Sequence, residues 1–224
     1  MGNFIELTAK DGHKFGAYEA KPAGKPRGGL VVIQEIFGVN PHIRWVADGF
    51  AADGYHVLAP GLFDRAEPGV ELGYDKDSVE RGRAIRQAIS TDDMLLDIAA
   101  TLDALKGAGK VGLVGYCMGG SLAWLSAAKV PGFSATVGYY GGTVAANLGE
   151  KARCAVMLHF GEKDASIPLA DAEKVKAALE PGTPVFIYPD AGHAFNRFGN
   201  QAWHEPSAVL ARQRTLNLFK EKVG

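Results

Sequence analysis

A chain of 224 residues fits one domain of the single-sheet α/β size, spanning 1–224, and can bury a continuous core without disulfide staples. Lys plus Arg number 24 against 25 Asp plus Glu, a net charge of −1, so nothing in the charge pattern points to nucleic acid. Two cysteines and an N-terminus, MGNFIELTAKDGHKF, without an apolar run lead us to expect a cytoplasmic protein. No apolar stretch approaches the roughly 20 residues of a membrane span, and no membrane partner is expected.

In chain order, 3–9 and 14–20 alternate apolar and polar residues about Asp11-Gly12, which predicts two antiparallel edge strands joined by a tight turn. The short connector KPAGKPRGG follows. Beyond it the texture changes to apolar runs, GLVVIQ, HVLAP, KVGLVGY, SATVGYY, CAVMLHF and TPVFIY, of the kind that buried parallel strands require. Helical patterns fit between and after them at 41–53, 75–89, 91–106, 119–130, 169–179 and 207–222. In the third of these, Met94, Leu95, Ile98, Leu102 and Leu105 mark one face, and Thr91-Asp92-Asp93 supplies a candidate cap. The alternation predicts a doubly wound, mostly parallel sheet with an N-terminal antiparallel hairpin and no large cap domain. The stretch 61–74 lacks a clear pattern and follows a strand, where open α/β sheets place binding loops.

The run VGLVGYCMGGSLAWL sets Cys117 between Gly115 and Gly119, where a buried strand turns into a helix. That is the G-x-S-x-G nucleophile elbow with cysteine in place of serine. A turn so sharp leaves no room for side chains two residues either side. The helix N-terminus favours a thiolate and the anion formed from a substrate, with the Met118 amide as an oxyanion donor. An arbitrary free cysteine is most often a buried core thiol, and Cys154 is read that way; the elbow reverses the odds for Cys117. The same glycines fail as a dinucleotide fingerprint, because the region after the next strand, GYYGG, holds no acid, and as a phosphate loop, because no Lys-Ser/Thr pair follows.

A hydrolase elbow calls for an acid and then a histidine on later post-strand loops. Asp164 in GEKDASIP follows CAVMLHF, and His193 in DAGHAFNR follows TPVFIY. Either alone reads as a surface residue or turn former; in this order and placement they complete a nucleophile, base and orienting acid. Asp190 is the rival acid, but YPDAG reads better as a turn. His13, His42, His56, His159 and His204 form no set at metal-ligand spacing, so neither a metal site nor a cofactor is expected.

The stretches QEIFGVNPHIR, GYCMGG, GYYGG, GEKDASIP and AGHAFNR, spread over nearly the whole chain, resemble the dienelactone hydrolase, or carboxymethylenebutenolidase, family. The resemblance implies an α/β-hydrolase fold and a Cys117, Asp164 and His193 triad served by Glu35. It implies that Glu35 pairs with an arginine at rest and takes the thiol proton once substrate displaces it, and that the Ile36 amide is the second oxyanion donor. The family's substrates carry a carboxylate beside the lactone, held by arginines; Arg197 matches one position, and Arg81, or else Arg83, the other. The expectation is thus a monomeric, cofactor-free hydrolase of a small ester or lactone. A carboxylesterase for other small esters, or a silent binding protein on the same fold, are the competing readings.

Overall fold

The computed structural model describes residues 2–224. Eight strands form one sheet in the order β1-β2-β4-β3-β5-β6-β7-β8. They are β1 (Asn3–Thr8), β2 (Lys14–Ala20), β3 (Gly29–Ile33), β4 (His56–Pro60), β5 (Val111–Tyr116), β6 (Phe133–Tyr139), β7 (Ala155–Gly161) and β8 (Val185–Tyr188). The hairpin of β1 and β2 is antiparallel, and β2 also runs antiparallel to β4, while every pairing from β4 to β8 is parallel. Of the two hairpin strands only β1 is therefore an edge strand, and β8 forms the opposite edge. The expectation of two edges fails at β2, where Phe15, Ala17, Tyr18 and Ala20 are buried because the strand is covered on both sides.

The described residues form six α-helices, α1 (Pro41–Ala52), α2 (Lys76–Gln87), α3 (Thr91–Leu105), α4 (Met118–Lys129), α5 (Leu169–Ala178) and α6 (Glu205–Lys222), and all but α2 pack on the sheet. Their starts follow local chemistry. Asn40 accepts from the Ile43 amide ahead of Pro41, and Asp75 accepts from the Ser78 amide. For α3 the cap is Ser90, which accepts from the Asp93 amide, rather than the expected Thr91-Asp92-Asp93. The acids instead occupy the first turn, where the helix dipole favours them. All five apolar positions expected on the α3 face are buried.

After β3 the chain passes through α1 to β4 on one side, and β5 then lies on the other side of β3. The carboxyl ends of β3 and β5 therefore diverge at a topological switch point, the crevice where open α/β sheets bind ligands. The last pair in their ladder is Ile33 with Gly115, so Glu35 and Cys117 each stand two residues beyond it, side by side at the crevice. No helix among the described residues is long and apolar enough to cross a membrane.

Candidate active site

The turn from β5 into α4 holds Cys117 at φ 55° and ψ −111°, and a non-glycine residue is uncommon at positive φ. Close packing explains the glycines around it. A Cβ on Gly115 would lie 1.9 Å from the Gly119 carbonyl oxygen, one on Gly119 2.6 Å from that of Ile33, and one on Gly120 2.2 Å from that of Tyr139. Strand, helix and neighbouring strand approach so closely that the elbow tolerates no side chain there. The Cys117 amide donates to the Tyr139 carbonyl at 3.0 Å, which ties the turn to β6. The side chain is left half-buried, facing a cavity rather than the core.

His193 reaches Cys117 from the loop after β8, its Nε2 lying 3.2 Å from Sγ. Its Nδ1 lies 2.8 Å from Oδ2 of Asp164, on the loop after β7. The other oxygen, Oδ1, accepts from the amides of Ser166 at 2.8 Å and Ile167 at 3.1 Å, so the wholly buried carboxylate is satisfied and fixed. Burial works against a charge on His193, but hydrogen bonds to Asp164 and Cys117 outweigh it and the imidazole is pushed up to about 10. Asp190 stays away from this chain of contacts: it sits at φ 61° in its turn and pairs with Lys163 at the surface.

Glu35 is buried and held by Arg197 through two parallel bonds, Nε to Oε2 at 3.1 Å and Nη2 to Oε1 at 2.7 Å. The Arg197 guanidinium lies against a pair of aromatics packed edge to face on each other, its Cζ 4.2 Å from the Tyr74 ring centre and 5.2 Å from that of Phe37. Burial opposes its charge, yet Glu35 raises its pKa above the ordinary arginine value. The patternless stretch 61–74 thus ends by contributing a face of this ion pair through Tyr74. Asn40, the α1 cap, in turn donates to the Tyr74 hydroxyl at 3.1 Å.

A cavity of about 710 Å³ opens over these groups, lined by Cys117, His193, Met118, Ile36, Phe37 and Arg197 among others. Arg83 and Arg86 also line it, whereas Arg81, the first choice for a second arginine, does not; Arg81 is exposed and pairs with Glu67. The reason is helical geometry. Val79, Arg83 and Arg86 stack on one face of α2 at spacings of four and three, and Arg81 is turned about 200° from its neighbour Arg83.

Two residues at the site escaped the sequence reading. Gly82 is buried, and a Cβ there would lie 2.1 Å from the Ile36 carbonyl oxygen, so α2 rests directly on the loop that carries Glu35 and Ile36. A glycine amid a helical pattern was the available signal. Tyr140, at φ 39°, places its ring centre 5.1 Å from that of His193, and its buried hydroxyl has no hydrogen-bond partner. Cys154 is half-buried at the core's edge, where burial pushes its thiol up. Among the described residues no group of three or more His, Cys, Asp or Glu side chains is arranged to hold a metal.

Residues 15–223 match the model of the Dienelactone hydrolase family. A carboxymethylenebutenolidase of Pseudomonas putida is 33% identical over 225 residues, covering 96% of this chain and 94% of its own length. A protein of Azospirillum brasilense, provisionally named a carboxymethylenebutenolidase, is 37% identical over 231 residues and covers 98% and 99%. A crystal structure from Klebsiella pneumoniae subsp. pneumoniae MGH 78578, provisionally named a dienelactone hydrolase, superimposes with a TM-score of 0.85 at 28% identity over 98% of each chain. The chain belongs to the dienelactone hydrolase family, and with it to the hydrolases of carboxylic esters and lactones.

Proposed function

We propose that this hydrolase opens a small, carboxylate-bearing lactone of the dienelactone type through a thioester on Cys117. The observation that carries the reading is the continuous chain from Asp164 through His193 to Cys117, with contacts of 2.8 Å and 3.2 Å, ending at the cavity. The sulfur attacks the carbonyl carbon, a C–S bond forms, and the amides of Met118 and Ile36 receive the oxyanion. Collapse breaks the ring C–O bond and releases an enolate, a leaving group that needs little help from an acid. His193 then takes a proton from water, which attacks the thioester and returns the thiol, while Asp164 holds the imidazole in register. No step calls for a cofactor.

Glu35 and Arg197 fit a gate in this scheme. A substrate carboxylate competes for the Arg197 fork, aided by Arg83 across the cavity, and frees Glu35 to take the Cys117 proton. The test compares kcat/KM for a carboxylate-bearing lactone and its methyl ester. Loss of a charge-assisted contact should cost the neutral ester about 1.5–3 kcal/mol, tenfold or more. Equal rates would retire the carboxylate requirement and leave a general carboxylesterase.

A further inference from the structure

The cavity extends well past the reacting atoms. Met118, Ser121, Leu122, Leu125 and Lys129 all line it, and these positions form one face of α4 over its whole length. With a rise of about 1.5 Å per residue, that face carries the groove roughly 16 Å away from the elbow. Val79, Arg83 and Arg86 of α2 form one wall, and Thr143 and Asn147 belong to the other. At about 710 Å³ the space lies within the roughly 300–1,000 Å³ that holds drug-sized ligands, far more than one unsaturated lactone ring fills.

Charge is distributed unevenly along it. Near Cys117 the cation is Arg197, neutralised by Glu35; at the far end Lys129 is paired with Glu150 at 3.0 Å. Arg86 has no carboxylate partner among the described residues. Its Nη1 donates to the Ile89 carbonyl at 2.9 Å and its Nη2 to the Thr91 hydroxyl at 3.0 Å, both neutral acceptors. Those two bonds fix a half-buried guanidinium beside the groove, and a guanidinium keeps further donors for an incoming anion. The lining includes apolar Leu122, Leu125 and Val79, while Arg83 stands one turn before Arg86 on the same face of α2 and Asp92 also borders the groove. The arrangement is a groove with apolar side chains along α4, a thiol at one end, and on its α2 wall two arginines without a carboxylate partner among the described residues, of which Arg86 is the one fixed in place by neutral acceptors.

We infer that the groove between α2 and α4 is a second substrate subsite, which takes an extended apolar acyl chain and holds a terminal carboxylate on Arg86. This rests on the reading of Cys117 as nucleophile and enlarges the substrate class to half-esters of long dicarboxylic acids. Attack at the ester carbonyl then leaves the distal carboxylate on the acyl half, bound as a thioester until water releases the free diacid.

The purified enzyme is assayed with three 4-nitrophenyl esters: the acetate, the octanoate and the hemisuberate, the last two matched in chain length and differing in the terminal carboxylate. The expected result is a hemisuberate-to-octanoate kcat/KM ratio of about ten or more, which falls to about one in Arg86→Gln. Leu125→Trp, which fills the channel, should depress both long esters relative to the acetate. A ratio near one in the unaltered enzyme, or a ratio that survives Arg86→Gln, overturns the subsite. Acetate turnover separates the two readings: if it is present and lost in Cys117→Ala while the ratio is one, the subsite fails and the hydrolase reading stands. Acetate turnover that survives Cys117→Ala removes the foundation of both.

Discussion

At φ 55° and ψ −111° the backbone of Cys117 lies where a non-glycine residue costs about 1–3 kcal/mol, and the surrounding packing holds it there. What the strain accomplishes is display: the sulfur meets the His193 ring at 3.2 Å instead of packing into the core. His193→Ala should therefore lower kcat by about a thousandfold or more while the circular dichroism spectrum, which reports a retained fold, changes little. Cys117→Ser should fall about a hundredfold or more in kcat, because a serine hydroxyl does not ionise in the working pH range. A serine enzyme of full activity, or an unfolded Cys117→Ala protein, would contradict this account of the residue. That these side chains come together was legible because elbow, acid and histidine carry fixed order and neighbours. The orphaned Tyr140 hydroxyl was not, since a buried tyrosine in GYYGG has no signature before its partners are known.

At the scale of elements, Gly82 decides where α2 sits. In an exposed helix, replacing glycine by alanine stabilises by up to about 1 kcal/mol. Here the new methyl would lie 2.1 Å from a backbone carbonyl, that of Ile36, so the sign reverses. Gly82→Ala should cost about 1–3 kcal/mol in urea unfolding and reduce kcat by pushing the Glu35–Ile36 loop aside. Retained stability and rate would show that α2 moves freely against that loop. Strands and helices were legible from apolar periodicity, because burial on one face or two imposes it. Rotation about a helix axis was not. One position of uncertainty between Arg81 and Arg83 would shift a side chain by about 100°, and two by about 200°, which is the difference between cavity and solvent. The wholly buried Asp97, on the inner face of α3, was equally hidden, since its partner Arg65 arrives from the 3₁₀ turn Leu62–Arg65 with two bonds of 2.8 Å.

For the whole molecule, two histidines shift stability with pH in opposite directions. His159, fully buried between the Tyr188 and Thr215 hydroxyls, is pushed down to about 3 by burial. An unfolded chain takes up that proton near the ordinary value of 6.5, so stability is full above that pH and is lost as pH falls toward 3. His193 has the opposite sign: raised to about 10, it contributes stability below 6.5 that is lost as pH rises through 10. Urea midpoints measured across pH should form a dome, its acid limb flattened in His159→Gln and its alkaline limb in His193→Gln. A variant that leaves its own limb unchanged would remove that histidine from the balance. The switch-point crevice at this scale was predictable from the order of strands and helices, whereas the groove along α4 was not, because its depth depends on how α2 and the segment 142–147 are spaced.

The thioester is the claim on which the rest turns. Rapid acid quench of the enzyme during turnover of a 4-nitrophenyl ester, followed by mass spectrometry of its peptides, should find the acyl group on the peptide holding Cys117 and none on that holding Cys154. Acyl groups on another residue, or turnover that persists in Cys117→Ala, would contradict it.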